Sequence, residues 1–248
     1  MKRLFFSTKE TPALAYAISE LERTGTAFAE HPSEAVTHLL LSAPCRLRSQ
    51  ELNDILGQLP PDITVVGGSL DRPELDHYRC IDLLKDEQYQ AENAMITAYC
   101  AVQLAANTLP VTWQDCPILI LGWGRIGKCL TQLLDTLGAT ISVAARKETD
   151  RAMITALGYH AQDMQNQASY LSQYRLIFNT APAPVLSRED TALCRKDCVK
   201  IELASRPGIA ADDVIDGRGL PGKLAPESAG KLMARTALRL CVQKEGTL

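Results

Sequence analysis

The chain alternates short apolar runs with longer segments in which apolar residues recur every three or four positions. The short runs predict buried strands, and the longer periodic segments predict helices that cover a parallel sheet on both faces. In the first part of the chain the predicted strands are Leu4–Ser7, Ala27–Glu30, Thr37–Ser42, Thr64–Gly67 and Arg79–Leu83. Helices are predicted between them at Thr11–Arg23 and Ser49–Leu59. This part is expected to form a small open α/β unit.

A second α/β unit is predicted after Pro117. Its strands are expected at Ile118–Leu121, Thr140–Ala145, Tyr159–Ala161, Leu176–Asn179 and Val199–Leu203. Its helices are expected at Arg125–Leu137 and near Asp150–Leu157. Because strands and helices alternate again, a second open and mostly parallel sheet is expected.

Two further helical patterns complete the predicted architecture. The first is a long connector helix from about Glu87 to Leu109, whose periodic apolar positions are Ala91, Met95, Ala98, Tyr99, Val102, Ala105 and Ala106. The second runs from about Glu227 to Val242 and is expected to pack back on the first unit. We therefore predict a small substrate or partner domain at residues 1–90, with a C-terminal helix at about 227–248, and a second domain at residues 91–226 that includes the connector.

The composition limits the classes of function that can be expected. The 248 residues carry a net charge of −3 with both signs mixed, and no basic stripe indicates nucleic acid or an anionic membrane. No apolar stretch approaches the roughly 20 residues of a membrane-spanning helix, and no secretory signal is evident, so a cytoplasmic protein is expected. None of the eight cysteines forms a C-x-x-C pair, and Cys194 and Cys198 lack a nearby histidine. Reduced thiols and no metal site are therefore expected.

The first strand of the second unit leads directly into a glycine-rich turn. Gly122 permits a tight turn, Gly124 lets the backbone approach a pyrophosphate, and Gly127 lets the following helix pack closely on the strand. The helix N-terminus then offers free N–H groups to the phosphates. This succession of strand, turn and helix predicts a Rossmann dinucleotide-binding domain. The residues expected to contact the dinucleotide here are Gly122, Trp123, Gly124, Arg125, Ile126 and Gly127.

The end of the next strand lacks an acid. An NAD site carries Asp or Glu about 20 residues after the first glycine, where it accepts hydrogen bonds from the ribose 2′-hydroxyl. Here Ala145 is followed by Arg146 and Lys147. A guanidinium binds a 2′-phosphate with two hydrogen bonds, so we predict NADP, with Arg146 as the main contact and Lys147 as an auxiliary. Arg125 is expected at the same phosphate or at the pyrophosphate. Alternatively, Arg146 and Lys147 only begin a solvated loop.

Two later blocks extend this fingerprint. They read ELASRPG at residues 202–208 and GLPGKLAPESAG at residues 219–230. Together with the glycine turn and the strand end VAAR at residues 143–146, they resemble the dipicolinate synthase A family over about residues 92–235. The resemblance implies oxidation of dihydrodipicolinate to pyridine-2,6-dicarboxylate, a small dicarboxylate, with NADP⁺ as hydride acceptor during bacterial sporulation. It also implies a flavoprotein-like partner, dipicolinate synthase B, and we expect a homo-oligomer.

The chain departs from this family in places. The family's P-T-x-E-G ahead of the connector helix is replaced by YQAEN at residues 89–93, which keeps only the acid, Glu92. Ile209 stands where the family has a second glycine after R-P-G. The segment 209–218 is also abbreviated, where the family has a helix and a strand.

Residues at the strand ends are further candidates, because ligands of such sheets bind outside the carboxyl ends of the strands. Asn179, Thr180 and Ala181 are expected to line the nicotinamide ribose, and Ala204 is expected to contact the cofactor. Ordinary turn chemistry is the alternative for Asn179 and Thr180.

Arg206 is expected to bind a substrate carboxylate, because its planar guanidinium matches a carboxylate with two hydrogen bonds. Ser205 is expected to hydrogen-bond a carboxylate or the carboxamide of the cofactor. Glu92 is a candidate general base or a partner that orients Arg206. The alternatives are an ion pair at the sheet rim for Arg206 and a solvated helix start for Glu92. Loops 42–44 and 67–69 are candidates for a second carboxylate, or plain loops.

No histidine follows Arg206, although D-2-hydroxyacid dehydrogenases keep an acid–base histidine after the corresponding strand. Oxidising a hydroxyl needs a base for the O–H proton, whereas aromatising a dihydropyridine needs only a modest base for a C–H proton. The absence of a histidine after Arg206 therefore favours aromatisation of a dihydropyridine over oxidation of a hydroxyl. Two alternatives stay open: a non-catalytic NADPH-binding regulatory or assembly protein, and a reductase of another small carboxylate.

Overall fold

The computed structural model describes residues 3–245, which divide into two compact units. The first unit comprises the residues up to Asn93 together with those from Pro221 onward, and the second comprises Ala94–Leu220. Each unit contains one open sheet in which every strand pair is parallel, as the alternating pattern predicts.

Strands and helices alternate along both units. The strands are β1 Leu4–Ser7, β2 Ala27–Phe28, β3 His38–Leu40, β4 Thr64–Gly67, β5 Arg79–Asp82, β6 Ile118–Leu121, β7 Ile141–Ala145, β8 His160–Asp163, β9 Leu176–Asn179, β10 Val199–Glu202 and β11 Val214–Asp216. The α-helices are α1 Pro12–Arg23, α2 Ser49–Leu56, α3 Glu87–Thr108, α4 Arg125–Thr136, α5 Glu148–Ala156, α6 Arg188–Ala192, α7 Leu220–Leu224 and α8 Pro226–Glu245. The two short helices α6 and α7 are not predicted by the sequence, because five residues are too few to show a helical period.

In the first unit the strand order is β2-β1-β3-β4-β5. Most apolar side chains of β1, β3 and β4 are buried, and α2 covers part of this core. Helix α1 begins sharply because Thr11 caps it, accepting a hydrogen bond from Leu14 N at 3.2 Å, and Pro12 occupies the first helical position.

Helix α8 packs against α1, which confirms that the C-terminal helix returns to the first unit. The helices approach closely at Gly230, where an added Cβ would lie 2.4 Å from Ala13 O and 2.6 Å from Tyr16 Cβ. An ion pair of 2.6 Å between Arg239 and Asp86 further ties α8 to this unit. The predicted end of this helix, residues 246–248, lies outside the described residues.

In the second unit the strand order is β11-β10-β9-β6-β7-β8. Strand β6 comes first in sequence but lies in the middle, between β7 and β9. This is the doubly wound order of dinucleotide-binding domains, in which ligands bind where the order reverses. Strand β11 pairs with β10, so the abbreviated segment 209–218 still contains a strand, which the sequence pattern does not mark. Its run of three residues is too short to show a strand pattern.

Helix α3 runs from the first unit into the second, and its buried face differs from the predicted one. Ala98 and Ala105 are buried as expected. Met95 and Tyr99, however, are 39% and 64% exposed, so they do not belong to the core. The error arises because α3 carries apolar residues on more than one side. Among residues 3–245 no helix is long and apolar enough to cross a membrane.

Candidate dinucleotide site

The glycine turn after β6 is shaped by two close approaches of the backbone. Gly122 has φ of +105°, a conformation that disfavours a side chain, and an added Cβ would lie 2.7 Å from Thr180 Oγ1. A Cβ on Gly127 would lie 2.3 Å from Gly122 O. The turn therefore requires glycine at both positions, for the reasons the motif predicts.

The N-terminus of α4 is left open for a ligand. Gly124 precedes the helix, no side chain of the described residues caps the free N–H groups, and a Cβ on Gly124 would meet nothing within 4 Å. Uncapped N–H groups and the positive end of the helix dipole favour an anion at this place. The half-buried Trp123 ring is held beside the turn by Lys128, whose Nζ lies 5.7 Å from the ring centroid.

Three exposed cations lie in or next to the glycine turn and the end of β7. The side chains of Arg125, Arg146 and Lys147 make no hydrogen bond or ion pair with any residue of the described chain. Strand β7 ends in the buried Ala145, and the first acid after it is Glu148, within α5. Arg146 and Lys147 thus follow a strand end that carries no carboxylate.

The loop that carries Arg146 is fixed by Arg151, a residue that no sequence motif marks. The Arg151 guanidinium donates to Ala145 O at 3.0 Å and to Arg146 O at 2.9 Å, and lies 3.4 Å from the Asp163 carboxylate. These bonds restrain the backbone at Arg146 while its side chain stays exposed. Helical periodicity gives no sign of such a contact, because it joins a side chain to backbone outside the helix.

Thr180 and Asn179 shape the end of β9. The Thr180 hydroxyl donates to Leu121 O at 2.9 Å, at the base of the glycine turn. Asn179 is fully buried: its Oδ1 accepts from Ala181 N at 3.0 Å and its Nδ2 donates to the carboxylate of Glu202. Asn179 therefore uses its polar atoms both in the turn at Ala181 and in a bond to Glu202 of the neighbouring strand.

Glu202 at the end of β10 organises the neighbouring loop. Its side chain is buried, and its carboxylate accepts hydrogen bonds from Asn179 Nδ2 at 2.8 Å, Ala204 N at 3.0 Å, Gly208 N at 2.7 Å and Ile209 N at 3.3 Å. A buried carboxylate with four donor groups is well satisfied. In the sequence, Glu202 is marked only as the first residue of the ELASRPG block, and the available signal is an acid directly before the loop residues.

The loop that Glu202 holds presents the predicted substrate residues. Ser205 and Arg206 are exposed, and Arg206 has no ion-pair partner among residues 3–245. Ala204 is buried, and its N–H is occupied by Glu202. Gly208 is required for the loop, since an added Cβ would lie 2.3 Å from Ala183 O. Because β6, β7, β9 and β10 are parallel, the loops after them share one edge of the sheet.

The predicted site residues of the first unit are engaged within that unit. Glu92 pairs with Arg235 at 3.0 Å and accepts from Gln88 Nε2 at 3.0 Å. Loops 42–44 and 67–69 bond to each other: Gly68 N donates to Ser42 O at 3.1 Å. In the described part of the chain, no group of three metal-ligating side chains can hold a metal ion.

Solved structures with this fold define its class. The chain is similar to a transhydrogenase from Sinorhizobium meliloti, with a TM-score of 0.72, 13% identity and coverage of 98% of this chain and 94% of that chain. It is also similar to a D-isomer specific 2-hydroxyacid dehydrogenase from Xanthobacter autotrophicus Py2, with a TM-score of 0.58, 13% identity and coverage of 98% of both chains. At these identities the likeness shows the fold alone, which is that of dehydrogenase-like proteins.

The resemblance to dipicolinate synthase A is confirmed. The crystal structure of that protein from Bacillus halodurans superposes with a TM-score of 0.83 at 20% identity, covering 97% of this chain and 98% of that chain. Dipicolinate synthase A from Bacillus subtilis (strain 168) is 24% identical over 176 residues, which span 66% of this chain and 58% of that protein's length. No protein-family model matches the chain.

Proposed function

We propose that this chain is an NADP-dependent dehydrogenase subunit that oxidises dihydrodipicolinate to dipicolinate. One observation carries the proposal: the dinucleotide fingerprint is complete, and the cations Arg125, Arg146 and Lys147 have no partner among residues 3–245, with no acid at the end of β7. The likeness to dipicolinate synthase A supplies the substrate.

The residues fit NADP. Gly124 leaves open space beside uncapped N–H groups, which suits a pyrophosphate. Arg146 follows the strand whose end receives the adenosine ribose in this fold, and a free guanidinium there binds a 2′-phosphate. An NAD site would instead need an acceptor for the 2′-hydroxyl, and Ala145 supplies none.

When bound, NADP⁺ supplies the hydride acceptor for the oxidation. Arg206 is proposed to bind one carboxylate of the substrate and Ser205 to hydrogen-bond a carboxylate or the cofactor's carboxamide. Glu202 positions both Ser205 and Arg206, because its hydrogen bonds hold the loop from Ala204 to Ile209 in one conformation. Glu92 remains a candidate base, although its carboxylate is paired with Arg235.

Three wider proposals follow from the relatives. Dipicolinate synthase B is proposed as partner, because the relative from Bacillus subtilis is named as one subunit of its synthase. The setting is proposed to be the cytoplasm of a sporulating bacterium. A homo-oligomer is proposed, and the exposed Met95 and Tyr99 on α3 offer an apolar surface for a second copy.

Fluorescence titration tests the function. Trp123 lies in the glycine turn, so its emission should change when a dinucleotide binds, and only Trp113 adds background. We expect tighter binding of NADPH than of NADH, and an affinity that shifts when dipicolinate is present, because ligands of one site change each other's affinity reciprocally.

Each other outcome identifies an alternative. NADPH binding that ignores dipicolinate would favour a regulatory protein or a reductase of another carboxylate. Equal binding of NADPH and NADH would contradict the cofactor assignment. The control for variants that remove a cation of the candidate site is Lys196→Ala. Lys196 is an exposed cation before the start of β10 and pairs with no described residue, so its removal should leave the affinities for NADPH and NADH unchanged.

A further inference from the structure

One arginine of the second unit, Arg151, links the ends of two neighbouring strands. Its Nη1 donates to Ala145 O at 3.0 Å and to Arg146 O at 2.9 Å, and its Nη2 lies 3.4 Å from the Asp163 carboxylate. Ala145 and Asp163 are partners in the register of β7 and β8. Arg151 itself lies in α5, so a single side chain joins a helix, two strand ends and the backbone of Arg146.

The acidic end of this link is also held by the fold. Asp163 Oδ1 accepts a hydrogen bond from Gln165 N at 2.9 Å, and Asp163 O accepts one from the hydroxyl of the buried Tyr170 at 2.9 Å. Both hydrogens of Arg151 Nη1 are used by the two carbonyls, whereas the exposed Arg146 side chain makes no bond within the described chain. Arg151 is therefore a support, and Arg146 keeps its donors for a ligand.

We propose that Arg151 is a positioning residue that sets the preference for NADP, because it holds the Arg146 backbone in one conformation before the 2′-phosphate binds. This inference rests on the proposed function, in which Arg146 binds that phosphate. Two hydrogen bonds from a guanidinium to a phosphate need a defined geometry. If the ligand had to order the backbone of one residue, the entropy cost would correspond to about a tenfold loss of affinity. NADH lacks the 2′-phosphate, so it gains nothing from this arrangement.

Double-mutant cycles distinguish positioning from two other roles of Arg151. If Arg151 acts only through the Arg146 guanidinium, its removal should have no effect once Arg146 is alanine. If Arg151 instead contacts the phosphate directly, the effect of its removal would persist in every background. If Arg151 instead keeps the Asp163 carboxylate from repelling the phosphate, the effect would persist in Arg146→Ala but disappear in Asp163→Asn.

Titration of the full chain with NADPH and with NADH, followed by Trp123 fluorescence, tests the proposal. Arg151→Met should weaken NADPH binding about tenfold, which equals about 1.4 kcal/mol, and should change NADH binding by less than about twofold. In the Arg146→Ala background, the same substitution should change NADPH binding by less than about twofold. In the Asp163→Asn background, the loss of about tenfold should remain, because the bonds of Arg151 to the two carbonyls do not depend on that carboxylate.

The matched control is Arg175→Met. The Arg175 side chain is 23% exposed, against 24% for Arg151, and it pairs with Asp197 at 3.3 Å, but it precedes β9 and so lies at the opposite edge of the sheet. This variant should leave the affinities for NADPH and NADH unchanged. Thermal unfolding shows whether each variant folds. If Arg151→Met does not fold, Arg151→Lys replaces it and should weaken NADPH binding about threefold, because an ammonium can donate to the carbonyls without the planar fork.

The outcomes separate this inference from the proposed function. The inference alone is overturned if NADPH binding is unchanged in Arg151→Met, if NADH binding falls equally, if the loss persists in Arg146→Ala, or if it disappears in Asp163→Asn. If the unsubstituted protein does not prefer NADPH, or if Arg146→Ala binds NADPH normally, the assignment of NADP to this site is itself contradicted.

Discussion

The buried carboxylate of Glu202 provides a sharp test of how the loop after β10 is held. In Glu202→Gln one carboxylate oxygen becomes an NH₂ group. If Oε2 is replaced, Gly208 N and Ile209 N lose their acceptor. If Oε1 is replaced, Ala204 N loses its acceptor, and Asn179 Nδ2 keeps only its bond of 3.1 Å to Oε2. Either orientation leaves at least one buried donor facing another donor.

The expected loss follows from those donors. An unsatisfied buried donor costs about 1–3 kcal/mol, so Glu202→Gln should lower the free energy of unfolding by about 1–5 kcal/mol, depending on which oxygen is replaced. Urea unfolding measured by circular dichroism reports this loss. Hydrogen exchange should be faster at Gly208 and Ile209 if Oε2 is replaced and at Ala204 if Oε1 is replaced, since those amides would no longer be bonded. The response to dipicolinate should also weaken, because Arg206 belongs to this loop.

The control is Glu148→Gln, which makes the same chemical change at an exposed glutamate of α5. Its effect should stay within about 0.5 kcal/mol, as for most surface substitutions. A loss below about 1 kcal/mol in Glu202→Gln, with unchanged exchange in the loop, would refute the argument that this carboxylate holds the loop.

Four further substitutions test the site and the fold. Arg146→Asp should weaken NADPH binding at least about 30-fold more than NADH binding, about 2 kcal/mol, and equal losses in the titration would contradict the 2′-phosphate contact. Arg206→Ala should spare NADPH affinity and abolish the dipicolinate response; an unchanged response would exclude it as the carboxylate clamp. Gly127→Ala places a Cβ 2.3 Å from backbone, so calorimetry should show a loss of about 1–3 kcal/mol, and binding of both dinucleotides should fall. Arg239 lowers the pKa of Asp86, so their pair stabilises the fold near neutral pH and is lost as pH falls through the acid range; Arg239→Met should flatten that part of the stability–pH curve.

The sequence predicts the parts of the fold that depend on local pattern. Buried strands such as β6 and β9 are continuous apolar runs, and their predicted bounds, Ile118–Leu121 and Leu176–Asn179, agree with the structure. Strand β11 is not predicted because its short run is defined by pairing with β10. The exposure of Met95 and Tyr99 is not predicted because periodicity marks apolar positions without showing which neighbours cover them.

The candidate site likewise contains parts that the sequence predicts and parts that it does not. The glycine turn can be predicted because Gly122 and Gly127 each meet a local steric need, and Gly124 leaves open space at the start of α4. The contribution of Glu202 depends on Asn179, which is distant in sequence, and that of Arg151 depends on backbone carbonyls beyond its own helix. Such contacts are set by the fold and have no fixed spacing. The sequence shows that Asn179 is a polar residue at a strand end. It does not show that the Asn179 side chain is buried, because that depends on the position of Glu202, its hydrogen-bond partner.

The packing of α8 on α1 has a consequence for synthesis of the chain on the ribosome. The first unit is discontinuous, since it needs residues from Pro221 onward to cover α1. The second unit lies wholly between its two segments, so it emerges complete first. At about 5–20 residues per second, the opening segment waits roughly 6–25 s for its last helix. Until α8 emerges, a nascent chain would therefore present the uncovered face of α1 to chaperones, even after its second unit is complete.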